Sequence, residues 1–274
     1  MSGLLDITGL TVRYGERTAL ADVTWSLAPG LTAILGPNGA GKSTLLRAAL
    51  GLVPVAAGPM ETGPMETGPM EAGPMEAGQV RFFGRPFAEV RARIAYLPQR
   101  AAVDWDFPAS ALDVVAMARY GRMRWWGRVP RREREAAMAA LGEVGLADLA
   151  ARPIGGLSGG QQQRVFLARA LAQEAELFLM DEPLAVVDAV TERAILDTLH
   201  RLARGGRSVV VVHHDLSAVE EHFDHVLLLA GHVVAAGPVR RCFTAESVAE
   251  AFGARAFVPA GRPVPVNPRG EGVL

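Results

Sequence analysis

Residues 36–43 read Gly36-Pro37-Asn38-Gly39-Ala40-Gly41-Lys42-Ser43, with Thr44 next. This fits the spacing G-x-x-x-x-G-K-[ST] in full. Small residues let successive backbone N–H groups turn inward onto an anion. A helix starting at Lys42 would offer its positive end to the same anion. Lys42 is then placed to reach the outer phosphates of a nucleotide, and the Ser43 hydroxyl to ligate Mg²⁺. Binding a phosphate chain is one task; cleaving it needs a base and a second metal ligand. Residues 177–182, Leu-Phe-Leu-Met-Asp-Glu, supply both at the end of an apolar run. Open α/β sheets place ligand chemistry at the carboxyl ends of their strands. Asp181 is expected to hold Mg²⁺, and Glu182 to act as general base toward water.

A third motif, Leu157-Ser158-Gly159-Gly160-Gln161, lies about 120 residues beyond the first. A hydroxyl and two glycines before a helix make a second anion-binding helix start. Two well-separated phosphate sites are wasteful in a lone chain. They are natural in a head-to-tail dimer, where two-fold symmetry repeats each composite site.

These motifs need elements to hold them. Residues 4–13, 19–27, 31–35, 79–83 and 94–97 read as strands, and 42–50 as a helix. Residues from about 105 to 157 are helix-like, with a basic patch over 119–134. Beyond them an α/β alternation returns: helices at 161–173, 191–203 and 216–223, strands at 177–180 and 208–212, and a hairpin of 226–229 with 233–236 through Gly231. The region from 257 to 274 is rich in Pro, Gly and Arg and reads as a tail.

Residues 58–77 repeat a five-residue unit, GPMET twice and GPMEA twice. Gly-Pro pairs break both helix and strand, so 58–78 reads as a loop expansion. Recurrent Met60, Met65, Met70 and Met75 also admit a Cu(I)-collecting segment, since thioethers suit that ion.

The chain has 274 residues, 50% of them hydrophobic and 21% charged, ample for a large α/β core. A net charge of −1 gives no bulk attraction to nucleic acid, and no nucleic-acid partner is expected. Cys242 is the single cysteine, which suits a reducing compartment. No apolar run reaches the roughly 20 residues of a bilayer span, so a membrane role is expected to come through a partner.

In this order, GPNGAGKST, LSGGQQQR and LFLMDEP resemble the ATP-binding cassette (ABC) family over about residues 4–252. The resemblance implies a P-loop ATPase fold: a mixed sheet core, an antiparallel β subdomain and a helical subdomain over about 105–160. ATP and Mg²⁺ are the implied cofactors and ATP hydrolysis the implied reaction. Tyr14 matches the aromatic that stacks on adenine. Gln99, in YLPQR, matches the glutamine that senses Mg²⁺ and the membrane partner. His214 matches the switch histidine at the γ-phosphate, with the neighbouring His213 structural. Asp188 matches the aspartate of the loop crossing the dimer interface. Val186, two positions earlier, departs from the small residue usual there and puts hydrolytic competence in question.

The implied partners are a second copy, integral membrane permease subunits and an extracytoplasmic substrate-binding protein, at the cytoplasmic face of the plasma membrane. Residues 103–108, Val-Asp-Trp-Asp-Phe-Pro, with LDVVAMARYGR after them, resemble the manganese/zinc/iron importer branch. Trp105 and Phe107 would serve there as anchors for a partner helix, or simply as subdomain core. An iron-siderophore or haem importer, a non-transport cassette and a regulatory cassette stay open as alternatives. His222-x-x-His225 on one helical face would offer a Zn²⁺ pair; plain surface histidines are the other reading.

Overall fold

The computed structural model describes residues 3–53, 78–99, 108–122, 130–185 and 187–253. The Gly-Pro-Met-Glu repeat, the aromatic segment 103–107, Val186 and the tail 257–274 lie outside the described residues.

The first strands, β1 (Leu5–Tyr14) and β2 (Arg17–Ser26), form an antiparallel hairpin. β3 (Leu31–Leu35) then enters a different sheet and leads to helix α1 (Lys42–Ala49). β4 (Gln79–Phe82) returns to pair with β1, completing a three-stranded sheet in the order β2-β1-β4. A single helical turn, α2 (Phe87–Val90), connects to β5 (Ile94–Leu97).

Helices α3 (Ala111–Met117), α4 (Arg131–Glu143) and α5 (Gly159–Ala172) pack on one another as the helical region. The remainder alternates: β6 (Leu177–Asp181), α6 (Ala189–Arg204), β7 (Ser208–Val212), α7 (Val219–His222), β8 (His225–Leu229) and β9 (Val233–Pro238). Helices α8 (Val239–Cys242) and α9 (Ala245–Phe252) follow. The second sheet has the order β5-β6-β7-β3-β8-β9, parallel except for β9 at the edge. The fold is therefore α/β, with a mixed sheet, an antiparallel sheet and a helical region, as expected.

The central strands β3, β6 and β7 are buried along their whole length. Strands covered on both faces read as continuous apolar runs rather than alternations. The period of two still sorts their side chains. Ala33, Leu35, Phe178, Met180, Val209 and Val211 join the core that faces the helices. Ile34, Leu177, Leu179, Val210 and Val212 join the core shared with α1 and the antiparallel sheet.

Three expectations need correction. The basic patch loses Arg119, which is only 3% exposed. Its guanidinium pairs with Glu133, with Glu174 Oε1 at 3.1 Å and with the Ala172 carbonyl at 2.7 Å, tying α3 to α4 and to the end of α5. The helix expected over 216–223 shrinks to one turn. Asp215 Oδ1 accepts from the Ser217 N–H at 2.8 Å and its hydroxyl at 2.7 Å, so a local turn takes the place of the first helical turn. Phe223 then leaves in an extended conformation, and His225 stands in β8. His222 and His225 therefore share no helical face. His213, expected to be structural, is indeed buried, at 2% exposed.

Candidate functional site

The loop from Gly36 to Gly41 is shaped by what surrounds it. A Cβ on Gly36 would lie 2.1 Å from the Leu229 carbonyl oxygen. Gly41 has φ of 91°, and a Cβ there would lie 2.5 Å from Leu20 Cδ2. Only glycine fits a position both left-handed and pressed against a neighbour. Gly41 also opens α1 with no side-chain cap, so the first N–H groups of that helix have no capping side chain to answer them. Inside the loop, Lys42 Nζ donates to the Gly36 carbonyl at 2.7 Å and the Pro37 carbonyl at 3.0 Å. Burial pulls the Lys42 ammonium below its ordinary value, while Glu182 and Asp181 oppose that shift.

Two carboxylates arrive from the end of β6. Its register with β7 sets Asp181 opposite Val212. Ser43 Oγ donates to Asp181 Oδ1 at 2.8 Å, joining the start of α1 to the end of β6. Burial pushes the Asp181 carboxyl up, and the Ser43 hydrogen bond works against that. Glu182 follows with φ of 53°, in the left-handed region. A non-glycine residue there is uncommon and stores strain of about 1 kcal/mol or more. Gln99, just past β5, donates through Nε2 to Glu182 Oε2 at 2.8 Å. Residues 99 and 182 meet because β5 and β6 are parallel neighbours.

Beyond β7, His213 and His214 have ring centroids 5.5 Å apart. His213 is held by its N–H on the Ile34 carbonyl at 3.0 Å and packs against Phe223 at 5.8 Å. Burial first, then the neighbouring His214, pulls its imidazole down to about 4. It is thus a neutral core group, while His214 is exposed at the strand end.

The β1–β2 hairpin overhangs the loop. Tyr14, 45% exposed, pairs across the turn with Arg17. Both line an open cleft of about 440 Å³, together with Ala19, residues 38–44 and Glu182. The structure thus gathers Tyr14, Asn38, Gly39, Ala40, Gly41, Lys42, Ser43, Thr44 and Glu182 around one cleft. Asp181 and Gln99 join it through Ser43 and Glu182. Sequence reasoning missed Arg17; its one signal was its place three residues after Tyr14.

Ser158, Gly159, Gly160, Gln161 and Asp188 line none of that cleft. Ser158 caps α5 by accepting from the Gln161 N–H at 3.4 Å, while Gln161 Oε1 accepts from the Ser158 N–H at 2.9 Å. Asp188 caps α6 by accepting from the Thr191 N–H at 2.9 Å and hydroxyl at 2.8 Å. These Thr191 hydrogen bonds hold the Asp188 carboxyl below its ordinary range. The two helix starts touch: a Cβ on Gly160 would lie 3.1 Å from Thr191 Oγ1. Thr191, too, was not singled out from sequence.

Among known proteins, the ABC transporter family matches residues 20–185. The zinc transport system ATP-binding protein TroB of Treponema pallidum is 48% identical over 252 residues, covering 92% of this chain and 87% of the relative. The manganese transport system ATP-binding protein MntB of Bacillus subtilis is 46% identical over 252 residues, covering 92% and 93%. A solved structure described as an inward-facing conformation of a metal-chelate type ABC transporter superposes with a TM-score of 0.73 at 26% identity, covering 90% and 88%. The chain belongs to the ABC transporter family, as one of its ATP-hydrolysing chains.

Proposed function

We propose that this ABC-family ATPase energises import of a transition-metal ion, manganese, zinc or iron, as the nucleotide-binding half of a two-fold dimer. The observation that carries the chemistry is the convergence of Lys42, Ser43, Asp181, Glu182 and Gln99 beside one cleft. The cargo reading is supported by relatives named for zinc and manganese transport.

In this reading ATP enters with its adenine against the Tyr14 ring. Its phosphates lie in the loop formed by Gly36, Pro37, Asn38, Gly39, Ala40 and Gly41, with Thr44 beside them. Lys42 exchanges its loop carbonyls for the outer phosphate oxygens. Mg²⁺ fits the donor set: a hydroxyl and a buried carboxylate, both hard oxygens, 2.8 Å apart. Ser43, Asp181 and Gln99 would hold it, and it would neutralise charge on the β- and γ-oxygens.

Glu182 takes a proton from water as the oxygen attacks the γ-phosphorus. The bond to the β–γ bridging oxygen breaks, and ADP leaves with its electron pair. The Gln99 amide fixes which carboxylate oxygen of Glu182 stays free for that proton. His214 contacts the γ-phosphate. The partner copy's Ser-Gly-Gly helix start closes the sandwich, so Ser158, Gly159, Gly160 and Gln161 of this chain serve the other ATP, with Asp188 at the interface. Membrane permease subunits receive the stroke, and an extracytoplasmic binding protein delivers the ion. Among the described residues no helix is long and apolar enough to cross a membrane. The permease subunits would hold this chain at the cytoplasmic face. Residues 4–252 form this nucleotide-binding unit, including the helical region of about 105–160.

Glu182→Gln tests the mechanism. Hydrolysis should fall at least about 100-fold, while ATP drives the chain into a stable dimer by light scattering. Unchanged hydrolysis overturns the role of Glu182. Uptake of Mn, Zn and Fe in a cell lacking the gene tests the cargo. Loss of siderophore-iron or haem uptake alone would overturn free metal as the cargo.

A further inference from the structure

We infer that Arg17 binds the phosphate chain of the nucleotide, as a second cation of the cleft beside Lys42. The proposal rests on the ATP-binding reading above and adds to it a residue outside every motif.

Four observations converge. First, Tyr14 and Arg17 are cross-strand partners either side of the two-residue turn Gly15-Glu16. Directly opposed residues of an antiparallel pair present side chains to the same face. Both line the cleft. Second, Arg17 Nη2 lies 3.4 Å from the point a Cβ on Gly39 would occupy, so the guanidinium reaches over the phosphate loop itself. Third, Arg17 makes no ion pair or side-chain hydrogen bond among the described residues. Lys42, by contrast, already serves two carbonyls and lies near Asp181 and Glu182. Those two carboxylates offset its charge, whereas a nucleoside triphosphate brings up to four negative charges more. An unpaired guanidinium offers a planar fork of donors suited to phosphate oxygens.

Fourth, the hairpin is tied to the loop. The Ala21 N–H donates to the Gly231 carbonyl at 2.7 Å, and the Gly231 N–H donates to the Ala40 carbonyl at 3.0 Å. Gly41 is pressed against Ala19 and Leu20 from the same strand. β2 therefore holds a fixed distance from the loop, and little ordering remains when a ligand arrives.

Equilibrium titration with labelled ATP, ADP and adenosine tests this on the wild-type chain and on Arg17→Ala, Arg17→Lys and Arg17→Glu. The alanine variant should bind ATP about tenfold more weakly, since a charge-assisted hydrogen bond is lost. The loss should shrink for ADP and vanish for adenosine. Lysine should restore part of it, and glutamate should deepen it. Salt should weaken ATP binding less steeply in the alanine variant. Equal losses for all three ligands would assign Arg17 to hairpin structure or to the base, and unchanged ATP affinity would remove it from the site; either overturns the proposal. A wild-type chain that binds none of the three would refute the nucleotide reading itself, a separate outcome.

Discussion

Helices α1 and α5 both begin at glycine-rich motifs, yet they begin in opposite ways. α1 opens on Gly41 in a left-handed conformation, with no side chain over its first N–H groups. α5 opens on Ser158, whose capping box with Gln161 satisfies that end internally. The nearby start of α6 is likewise closed by Asp188 on Thr191. An uncapped helix start keeps its donors for a ligand, while a capped one is complete without one. The first start therefore reads as the primary phosphate site. The second is complete without a ligand; in the proposed dimer it would trade its own cap for the nucleotide held by the partner copy.

The largest effect should come from the uncapped start. Lys42→Ala should cut ATP affinity and turnover about 100-fold or more, since the loop loses its only cation. Retained affinity in a titration would break the contrast. Ser158→Ala should leave ATP binding by the isolated chain intact, but lower dimer-dependent turnover about tenfold. It should also cost roughly 0.5–2 kcal/mol of stability through the lost cap, read as a lower melting temperature.

Asp181 offers a test by pH. Its folded carboxyl titrates above its unfolded value because it is buried. The unfolded chain thus gives up that proton first as pH rises. The stability penalty is absent below the unfolded value and complete above the raised folded value. Asp181→Asn should therefore raise the melting temperature of the nucleotide-free chain at neutral pH, and the gain should fade in acid, while turnover is lost. A lower melting temperature at pH 7 would contradict the burial cost. The smallest effect is expected from Gly160→Ala. Its Cβ meets Thr191 at 3.1–3.3 Å, so the α5 and α6 starts must part by tenths of an ångström. Melting should shift by no more than a few degrees, with turnover changed more than affinity.

The same contrast explains what could be seen in advance. The loop at 36–43 declares itself because its chemistry lies within eight consecutive residues. The strands that carry it were legible as short apolar runs with no alternation, since both faces are covered. Arg17 was not legible, because its place over Gly39 depends on a hairpin held through residue 231. The Gln99–Glu182 contact spans 83 positions and was visible only as two separate readings, Gln99 from the family pattern and Glu182 from the acids that end an apolar run. Arg119 looked like surface charge, since nothing local reveals that Glu133 and Glu174 fold over it. The shortened α7 was misread for a local reason: Asp215 takes hydrogen bonds that a helical pattern assigns elsewhere. α9 was passed over although Thr244 and Ser247 form its capping box and Ala245, Val248, Ala249 and Phe252 fall at helical spacing.

The strand order of the larger sheet has a consequence for the chain as it is made. β3 lies between β7 and β8, and its sheet neighbours begin more than 170 residues after it ends. At ribosomal rates of about 5–20 residues per second, Leu31–Leu35 waits roughly 10–35 s for its partners. All five residues are destined for burial, and the backbone of β3 has no sheet neighbour during that time. The phosphate loop that β3 carries is thus among the first parts translated and among the last to take shape. On the proposed reading, the nascent chain would gain affinity for nucleotide only once β7 and β8 have emerged.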